Sequence, residues 1–241
     1  MFNTMTTDGM EQQEDRLGGF SVKESGIYTG KIKAAYAGKS KGGAISVSII
    51  VDLSGSEYRE TIYITNKKGE NFFTSTDNKK VPLPGFSVIN DICLMTSGEP
   101  LSAQETEEKV INLYDYDAKK ELPTKVDMLT GLIGHEISLG ILKTIEDKNV
   151  DDGTGKYVPS GETREVNSTN KVFHTETKMT SAEALNGAEE AKFWDSWAEK
   201  NTGKTINKAK GAAAGGTGGK PVQRPTAGSG AAPAKSLFPK K

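Results

Sequence analysis

The stretch AISVSIIVDLSG, residues 44–55, determines the fold class of this chain. Every second residue in it is apolar: Ile45, Val47, Ile49, Val51 and Leu53. Side chains along a β-strand point alternately to opposite faces of the sheet, so this period predicts a strand whose apolar face is turned towards a core. The segments on either side of this strand in the sequence have strand patterns as well.

Two further strands flank this one. Upstream, GIYTGKIKAAY at residues 26–36 is joined to it by the glycine-rich turn GKSKGG at residues 38–43, a pattern that predicts a hairpin. Downstream, the turn at residues 54–56 leads into a third strand, in which Ile62 and Ile64 share the inward face. We therefore predict a three-stranded antiparallel meander. In its first strand, Tyr28 and Tyr36 share a face with Ile32 and Ala34, and we expect them in the core.

A helix is predicted after the meander, in FSVINDICLMTSG at residues 86–98, because apolar residues recur there at helical spacing and Gly98 stands where a C-terminal glycine belongs. Its apolar residues are Val88, Ile89, Ile92, Cys93 and Met95. The helix is followed by a strand at residues 107–117, a short helix near residues 129–133, a strand at 135–147, a polar excursion at 149–170 and a short strand at 171–174. A capping-box pattern at Thr180 predicts a last helix that ends near Lys200 and carries Phe193, Trp194 and Trp197.

These elements predict a mainly β protein, with an OB-like small Greek-key barrel, an inserted helix and a C-terminal edge helix. A two-layer α+β sandwich is the alternative. We expect a mobile acidic arm at residues 1–22, an OB-like domain at 23–202, and a disordered basic tail rich in Gly and Ala at 203–241.

The charge is distributed unevenly along the chain. Residues 203–241 contain seven lysines, one arginine and no acidic residue, a charge of +8, whereas the remainder carries −9. Such asymmetry is typical of a charged tail used for interaction. A single cysteine, no signal-peptide pattern and no long apolar run predict a cytoplasmic protein without a membrane segment.

The sequence contains no complete catalytic motif. The GKS at residues 38–40 and the GKT at 203–205 resemble phosphate-binding loops, but Lys33 and Ala198 stand where the motif needs its first glycine. The acidic pair in LYDYD, Asp115 and Asp117, has no third ligand nearby in sequence. We therefore expect no enzymatic activity, no cofactor and no metal, although an enzyme such as a nuclease stays open as a class.

A basic and aromatic surface is predicted on the meander. Lysines that follow phosphates and aromatic rings that stack on bases characterise proteins that hold single-stranded nucleic acid without reading its sequence. The candidate DNA-binding residues, on the outward faces of strands one and three and in the adjoining turns, are Lys31, Lys33, Lys39, Lys41, Arg59, Tyr63, Lys67, Lys68, Phe72 and Phe73. In the competing interpretation the charges serve only solubility, Tyr63 is a half-buried sheet residue, and at least one of the two phenylalanines plugs the core.

Three segments of the chain resemble a family of bacteriophage single-stranded DNA-binding proteins of the lytic podovirus type. The segments are GFSVINDICLMTSGEPL, EEKVINLYDYDAKKELPTKVDMLTGLIGHEISLGILKTIEDK and GETREVNSTNKVFHTETKMTSAEA, and the likeness covers roughly residues 26–200. The resemblance implies binding of single-stranded DNA in phage replication, recombination and repair, a link to late transcription, and a location in the host cytoplasm.

The C-terminal tail departs from the pattern of many such proteins, whose tails are acidic and end in an aromatic residue. This tail is basic, so recruitment of partners through an acidic tail is not carried over. Its candidate partner-binding residues, for a replication protein or an RNA polymerase, are Leu237, Phe238, Lys240 and Lys241. The alternative function is a protein-interaction barrel whose basic tail recruits a polymerase without direct DNA binding.

Overall fold

The computed structural model describes residues 22–115, 118–151, 153 and 157–210. Within these ranges the protein is mainly β, as predicted. Its strands are β1 (Gly26–Lys39), β2 (Ile45–Leu53), β3 (Ser56–Tyr63), β4 (Phe72–Thr74), β5 (Lys80–Pro82), β6 (Glu107–Asp115), β7 (Lys120–Met128), β8 (Glu136–Asp151), β9 (Tyr157–Phe173) and β10 (Thr205–Asn207). Its helices are α1 (Pro84–Thr96), α2 (Ser181–Leu185) and α3 (Lys192–Asn201), with 3-10 turns at Leu101–Ala103 and Thr130–Leu132.

Eight of these strands form one sheet. The predicted meander is confirmed: β1 pairs with β2 and β2 with β3, both antiparallel. The first part of β1 also pairs with β8, which in turn pairs with β9, and both pairings are antiparallel. The hairpin of β6 and β7 joins the far end of β1 through β7, and β10 lies parallel to β8. The short β4–β5 hairpin forms a sheet of its own.

The first strand serves two parts of the sheet because it is bent. Residues 26–31 pair with β8 and residues 31–39 pair with β2. A bulge between Ile32 and Ala34 leaves Lys33 as the extra residue, and a bulge bends the strand that carries it. A Cβ atom at Gly30 would lie 2.2 Å from the carbonyl oxygen of Asp52, so only glycine permits this close approach of β1 to β2.

The main core lies between the inward faces of the sheet and α1. All five apolar helix residues predicted from the sequence are buried, and Gly98 has a φ of +80° and donates its N–H to the Cys93 carbonyl, 3.2 Å away. The Cys93 side chain packs as an apolar group in this core, where burial raises the pKa of its thiol to about 12. Val47, Ile49 and Val51 are each about 1–2% exposed, whereas Ile45 at the strand end is 38% exposed.

The last edge of the sheet is closed by side chains. Among the described strands, β3 pairs only with β2 and β9 only with β8. The Glu60 carboxylate bridges them: its Oε2 accepts the Thr169 N–H at 2.9 Å and the Tyr58 hydroxyl at 2.7 Å. Tyr58 and Thr169 are 5% and 8% exposed, so this bridge is largely sheltered from water.

The polar excursion predicted at residues 149–170 is wrong. Most of that segment belongs to β9, whose register with β8 runs from Ser138↔Phe173 to Asp151↔Tyr157. We call the outer end of the β8–β9 hairpin the β8–β9 arm. In its β9 strand, residues 157–165 are almost all exposed, so this segment lacks the apolar alternation by which a strand is recognised. The β4–β5 hairpin and β7 also went unrecognised, and Pro123 within β7 argued against a strand there.

The single helix predicted at residues 180–200 is also wrong, since α2 and α3 are separate. The capping box at Thr180 is confirmed, but the chain turns at Gly187, whose φ is +65°. Trp197 holds α3 against the sheet: its Nε1 donates to Asn170 Oδ1 at 2.8 Å, and its ring lies over Gly140. β10 then pairs with β8 inside the segment predicted as tail, so the folded part continues beyond residue 202.

We expect Glu60→Ala to lower the free energy of unfolding by about 2 kcal/mol, because a sheltered N–H and a sheltered hydroxyl lose their acceptor. The control is Glu136→Ala on β8, where the carboxylate is exposed and makes no ion pair within the described residues. Urea unfolding followed by circular dichroism measures both. A loss below about 0.5 kcal/mol for Glu60→Ala, the range of ordinary surface changes, would show that the bridge does not hold the edge.

Candidate nucleic-acid interface

The outward face of the meander is a grid fixed by strand register. One row across the three strands is Gly38, Ser46 and Tyr63. The next row is Tyr36, Ser48 and Thr61, and the third is Ala34, Ile50 and Arg59. Tyr63 and Arg59 therefore share one face, as the sequence predicts. Tyr63 is 53% exposed, and among the described residues no hydrogen bond occupies its hydroxyl.

The β6–β7 hairpin covers the β1 and β2 part of this face. Val126 and Met128 of β7 are buried there with Ala34 in a second small core. Tyr36, Ile50, Ile111 and Leu113 pack against that core. The expectation that Tyr36 lies in the core with Ile32 is wrong: Tyr36 is only partly buried, in this outer cluster, whereas Ile32 lies in the main core. Thr61 and Tyr63 of β3 stay uncovered.

Two turns at the Tyr63 end of the grid bring four lysines together. The first turn, between β1 and β2, carries Lys39 and Lys41, and the second, after β3, carries Lys67 and Lys68. The turns touch: a Cβ atom at Gly42 would lie 3.3 Å from the Lys67 Cε. We call Lys39, Lys41, Lys67 and Lys68 the lysine rim. All four are exposed, and none forms an ion pair within the described part of the chain.

The second turn has a defined shape. The Asn66 Oδ1 accepts the N–H groups of Lys68 and Glu70, at 2.9 and 3.0 Å. Gly69 supplies the positive φ, +81°, that closes the turn. Thr65, just beyond the end of β3, is buried, and its Oγ1 accepts the Ile45 N–H at 2.8 Å, which ties the end of β3 to β2. These bonds hold the two turns at a fixed spacing.

At the opposite end of the grid, basic side chains form ion pairs with carboxylates, and we call this the compensated end. Lys33 lies 3.3 Å from Asp52 and 4.0 Å from Glu57, and Glu57 also pairs with Arg59. The Gly55 amide, together with Lys33, holds the pKa of Asp52 below its usual value. Lys31 is exposed at this same end, about 26 Å along β1 from Lys39 at 3.3 Å per residue. The predicted basic surface is therefore uneven in charge: Lys33 and Arg59 face carboxylates, whereas Lys31 and the four rim lysines form no ion pair within the described residues.

The β4–β5 hairpin carries the two candidate phenylalanines. Phe72 is half-buried, and Lys80 lies over it with Nζ 4.4 Å from the ring centroid. Phe73 is 48% exposed on the other face of the hairpin. Neither ring belongs to a core cluster, so the interpretation in which one of them plugs the core is wrong.

The structure adds two lysines that the sequence reasoning missed, Lys79 and Lys80 on the hairpin. A repeated tripeptide was the available signal, because Asn-Lys-Lys occurs at residues 66–68 and again at 78–80. Each asparagine stands in a turn: Asn66 accepts the turn amides, and Asn78 has a φ of +58°. The repeat therefore marks two basic turns, one before β4 and one between β4 and β5.

The candidate tail residues Leu237, Phe238, Lys240 and Lys241 lie outside the described residues. The last described residue, Lys210, donates its N–H to Asp147 Oδ2 at 2.8 Å. The tail therefore begins beside the β8–β9 arm rather than at the lysine rim.

Neither a metal centre nor a membrane helix is found in the described ranges. No group of three or more His, Cys, Asp or Glu residues there has the arrangement of a metal site. No helix there is long and apolar enough to cross a membrane. Comparison with protein-family models gives no match for this chain, and comparison with curated proteins gives none either.

We expect the rim lysines to be acetylated several-fold faster than Lys143 in the native protein, measured by mass spectrometry after brief treatment with an amine-acetylating reagent. The Lys143 side chain is 16% exposed and bonds to Glu24 and Glu165, which raise its pKa and keep its amine protonated and unreactive. The rim lysines have no such partners. Equal rates at Lys67 and Lys143 would contradict the uncompensated state of the rim.

Proposed function

We propose that this chain binds single-stranded DNA without sequence preference, through Tyr63 and the lysine rim. One observation carries the proposal: an exposed tyrosine on a sheet face stands beside four lysines that no carboxylate of the described chain compensates. Phe72 and Phe73 extend the surface, whereas Lys31 at the far end of β1 contributes less, as do Lys33 and Arg59, which already face Asp52 and Glu57.

The chemistry of this surface suits a flexible polyanion with flat bases. Lysine ammonium groups attract phosphates from any direction, and release of counterions makes such binding sensitive to salt. A base stacked on an aromatic ring contributes roughly 1–3 kcal/mol whatever its identity, because every base has a flat face. The proposed surface is built from strands and turns, without a helix that could read base edges in a major groove.

The strand order supports an OB-like barrel as the scaffold. The strands β9, β8, β1, β2 and β3 are antiparallel neighbours in that order, and α1 lies in sequence between the third and the fourth strand of the set. A five-stranded, partly open barrel of this kind binds oligonucleotides on the face of its second and third strands. Tyr63 lies on that face, and the first loop of the barrel carries Lys39 and Lys41.

The biological role follows from the resemblance to phage single-stranded DNA-binding proteins. We propose that the chain supports phage replication, recombination and repair in the host cytoplasm, with a further part in late transcription. It would coat exposed strands without a cofactor and without catalysis. Replication proteins or an RNA polymerase would be recruited through the basic tail.

A protein-interaction module is the second candidate. The outer face of the β6–β7 hairpin favours it, since Val110 is 61% exposed and Tyr114 48% exposed there. In this case the partner would bind the hairpin, and the lysine rim would be a solvated surface. DNA titration separates the two candidates.

We expect the protein's intrinsic fluorescence to report tight binding of oligo-dT and much weaker binding of a duplex of equal length, measured at low and at physiological salt. The logarithm of the binding constant for oligo-dT should fall linearly with the logarithm of the salt concentration. Equal affinity for duplex and single strand at physiological salt would contradict the proposal, and absence of binding at both salts would favour the interaction module.

Single substitutions test which residues of the proposed surface contact DNA. Lys67→Ala should lower the salt slope by about 0.7, the value for one phosphate contact on a single strand, and the matched Lys33→Ala should change it less. Tyr63→Ala should weaken binding at every salt concentration by roughly 5- to 150-fold, because stacking releases no counterions. Unfolding of both Tyr63→Ala and Tyr63→Phe would show instead that the residue is structural.

A further inference from the structure

The strand β6 is a free edge of the main sheet. Among the described strands it pairs with β7 alone, and that register is unbroken from Glu107↔Met128 to Asp115↔Lys120. The backbone groups on the other side of β6 therefore face no strand of the described chain. A regular edge of this kind is a template on which a further strand can pair.

Apolar side chains are open to water on this edge. Val110 is 61% exposed and Tyr114 is 48% exposed, and alternation along the strand places both on its outer face. On the inner face, Ile111 and Leu113 pack against the second small core but are only partly buried. A strand placed beside β6 would cover apolar groups on both of its faces.

The sequence of β6 is complementary to itself when two copies run antiparallel. A two-fold axis through Asn112 sets four kinds of pair opposite one another: Lys109 with Asp115, Val110 with Tyr114, Ile111 with Leu113, and Asn112 with Asn112. The first three pairs occur twice, as symmetry requires. Opposite charges, and an aromatic residue facing a β-branched one, are the pairs that stabilise neighbouring strands.

The adjacent registers lack this complementarity. An axis through Ile111 would place Glu107 opposite Asp115, and like charges directly opposite each other are destabilising. An axis through Leu113 would place Asp115 opposite Ile111. Charge and polarity therefore select the register centred on Asn112.

The two charged groups of this register are accessible to a second copy. The Lys109 side chain is 49% exposed, and its ion pair with Glu107, at 2.6 Å, is a surface pair of the kind that contributes little to stability. The Asp115 Oδ1 accepts the Ala118 N–H at 2.7 Å, and a carboxylate has further lone pairs to offer. Both side chains can therefore add a contact across the axis.

We propose that two copies of this chain associate through β6, antiparallel about a two-fold axis at Asn112, so that their sheets become continuous. The inference goes beyond the proposed function and does not depend on DNA. A pairing of residues 109–115 is smaller than the roughly 20–30 residues a side of a stable interface, so the association is weak in dilute solution. Copies bound side by side on one DNA strand would gain the effective concentration that strengthens it.

The test is disulfide cross-linking of the full chain carrying Asn112→Cys, with copper–phenanthroline as the oxidant and without DNA. Directly opposite Cα atoms lie about 4.5–5.5 Å apart, within the range of about 4.4–6.8 Å that a disulfide needs. The native Cys93 does not compete, because it is buried and burial raises the pKa of its thiol to about 12. We expect a covalent dimer on non-reducing gels.

Cysteines at the flanking positions test the register. Val110→Cys alone should cross-link several-fold more slowly than Asn112→Cys, because its copies would lie four residues apart along the strand, about 13 Å. A mixture of Val110→Cys and Tyr114→Cys proteins should cross-link readily, because these two positions face each other. Circular dichroism checks that each variant is folded.

A charge reversal tests the ion pairs. Lys109→Glu would face Asp115 of the second copy, so adding it to Asn112→Cys should slow cross-linking several-fold. The matched control is Lys125→Glu on β7, since Lys125 is also exposed, pairs with a glutamate of the same hairpin at 2.7 Å, and lies away from the edge. It should leave the rate unchanged, although it alters the net charge equally.

The β6 pairing is excluded if Asn112→Cys forms no covalent dimer at high protein concentration. It is also excluded if Val110→Cys alone reacts as fast as Asn112→Cys, which would indicate random collision. Equal slowing by Lys109→Glu and Lys125→Glu would overturn the register. None of these results depends on oligo-dT binding, so failure of the proposed function would be recognised separately.

Discussion

The approach of β1 to β2 at Gly30 is the constraint on which the rest of the structure depends. A Cβ atom at Gly30 would lie 2.2 Å from the Asp52 carbonyl oxygen, so only glycine fits there. Because glycine has no side chain, β1 can leave β8 and turn along β2. The bulge at Lys33 completes the bend. One strand thereby joins both halves of the sheet, closes the core over α1, and carries the β1–β2 turn to the end of β3. The register of β1, β2 and β3 then sets Gly38, Ser46 and Tyr63 side by side, so the two lysine turns meet beside Tyr63.

Charge on the outward face is organised by the same register. Acidic residues at one end, Asp52 and Glu57, neutralise Lys33 and Arg59, while the rim lysines at the other end form no ion pair within the described residues. A chain whose net charge is −1 can in this way present a local anion-binding surface. The β6–β7 hairpin covers the β1 and β2 part of the outward face, so only the β3 part of that face stays exposed. The proposed DNA surface is thus limited to one end of the sheet rather than spread along it.

The parts of the fold that the sequence predicted are those that bury a clear apolar pattern. Val47 to Leu53 and the helix around Ile92 have one-sided periodicity, and both were placed correctly. The first half of β9, residues 157–165, has none, because both of its faces are largely exposed, and β7 contains Pro123, a residue that disfavours a strand. Among the site residues, exposure of Tyr63 followed from alternation alone. Ion pairing of Lys33 did not, because it depends on which strands become neighbours and where the bulge falls.

The central claim is that the DNA surface comprises Tyr63 and the two lysine turns and excludes the compensated end of the sheet. Amide chemical-shift mapping of ¹⁵N-labelled protein during titration with a short oligo-dT tests it most directly. The account predicts the largest shifts at residues 38–46 and 61–73, with small shifts around Lys33, Asp52 and Glu57. Shifts concentrated at that compensated end, or on the outer face of the β6–β7 hairpin, would contradict it.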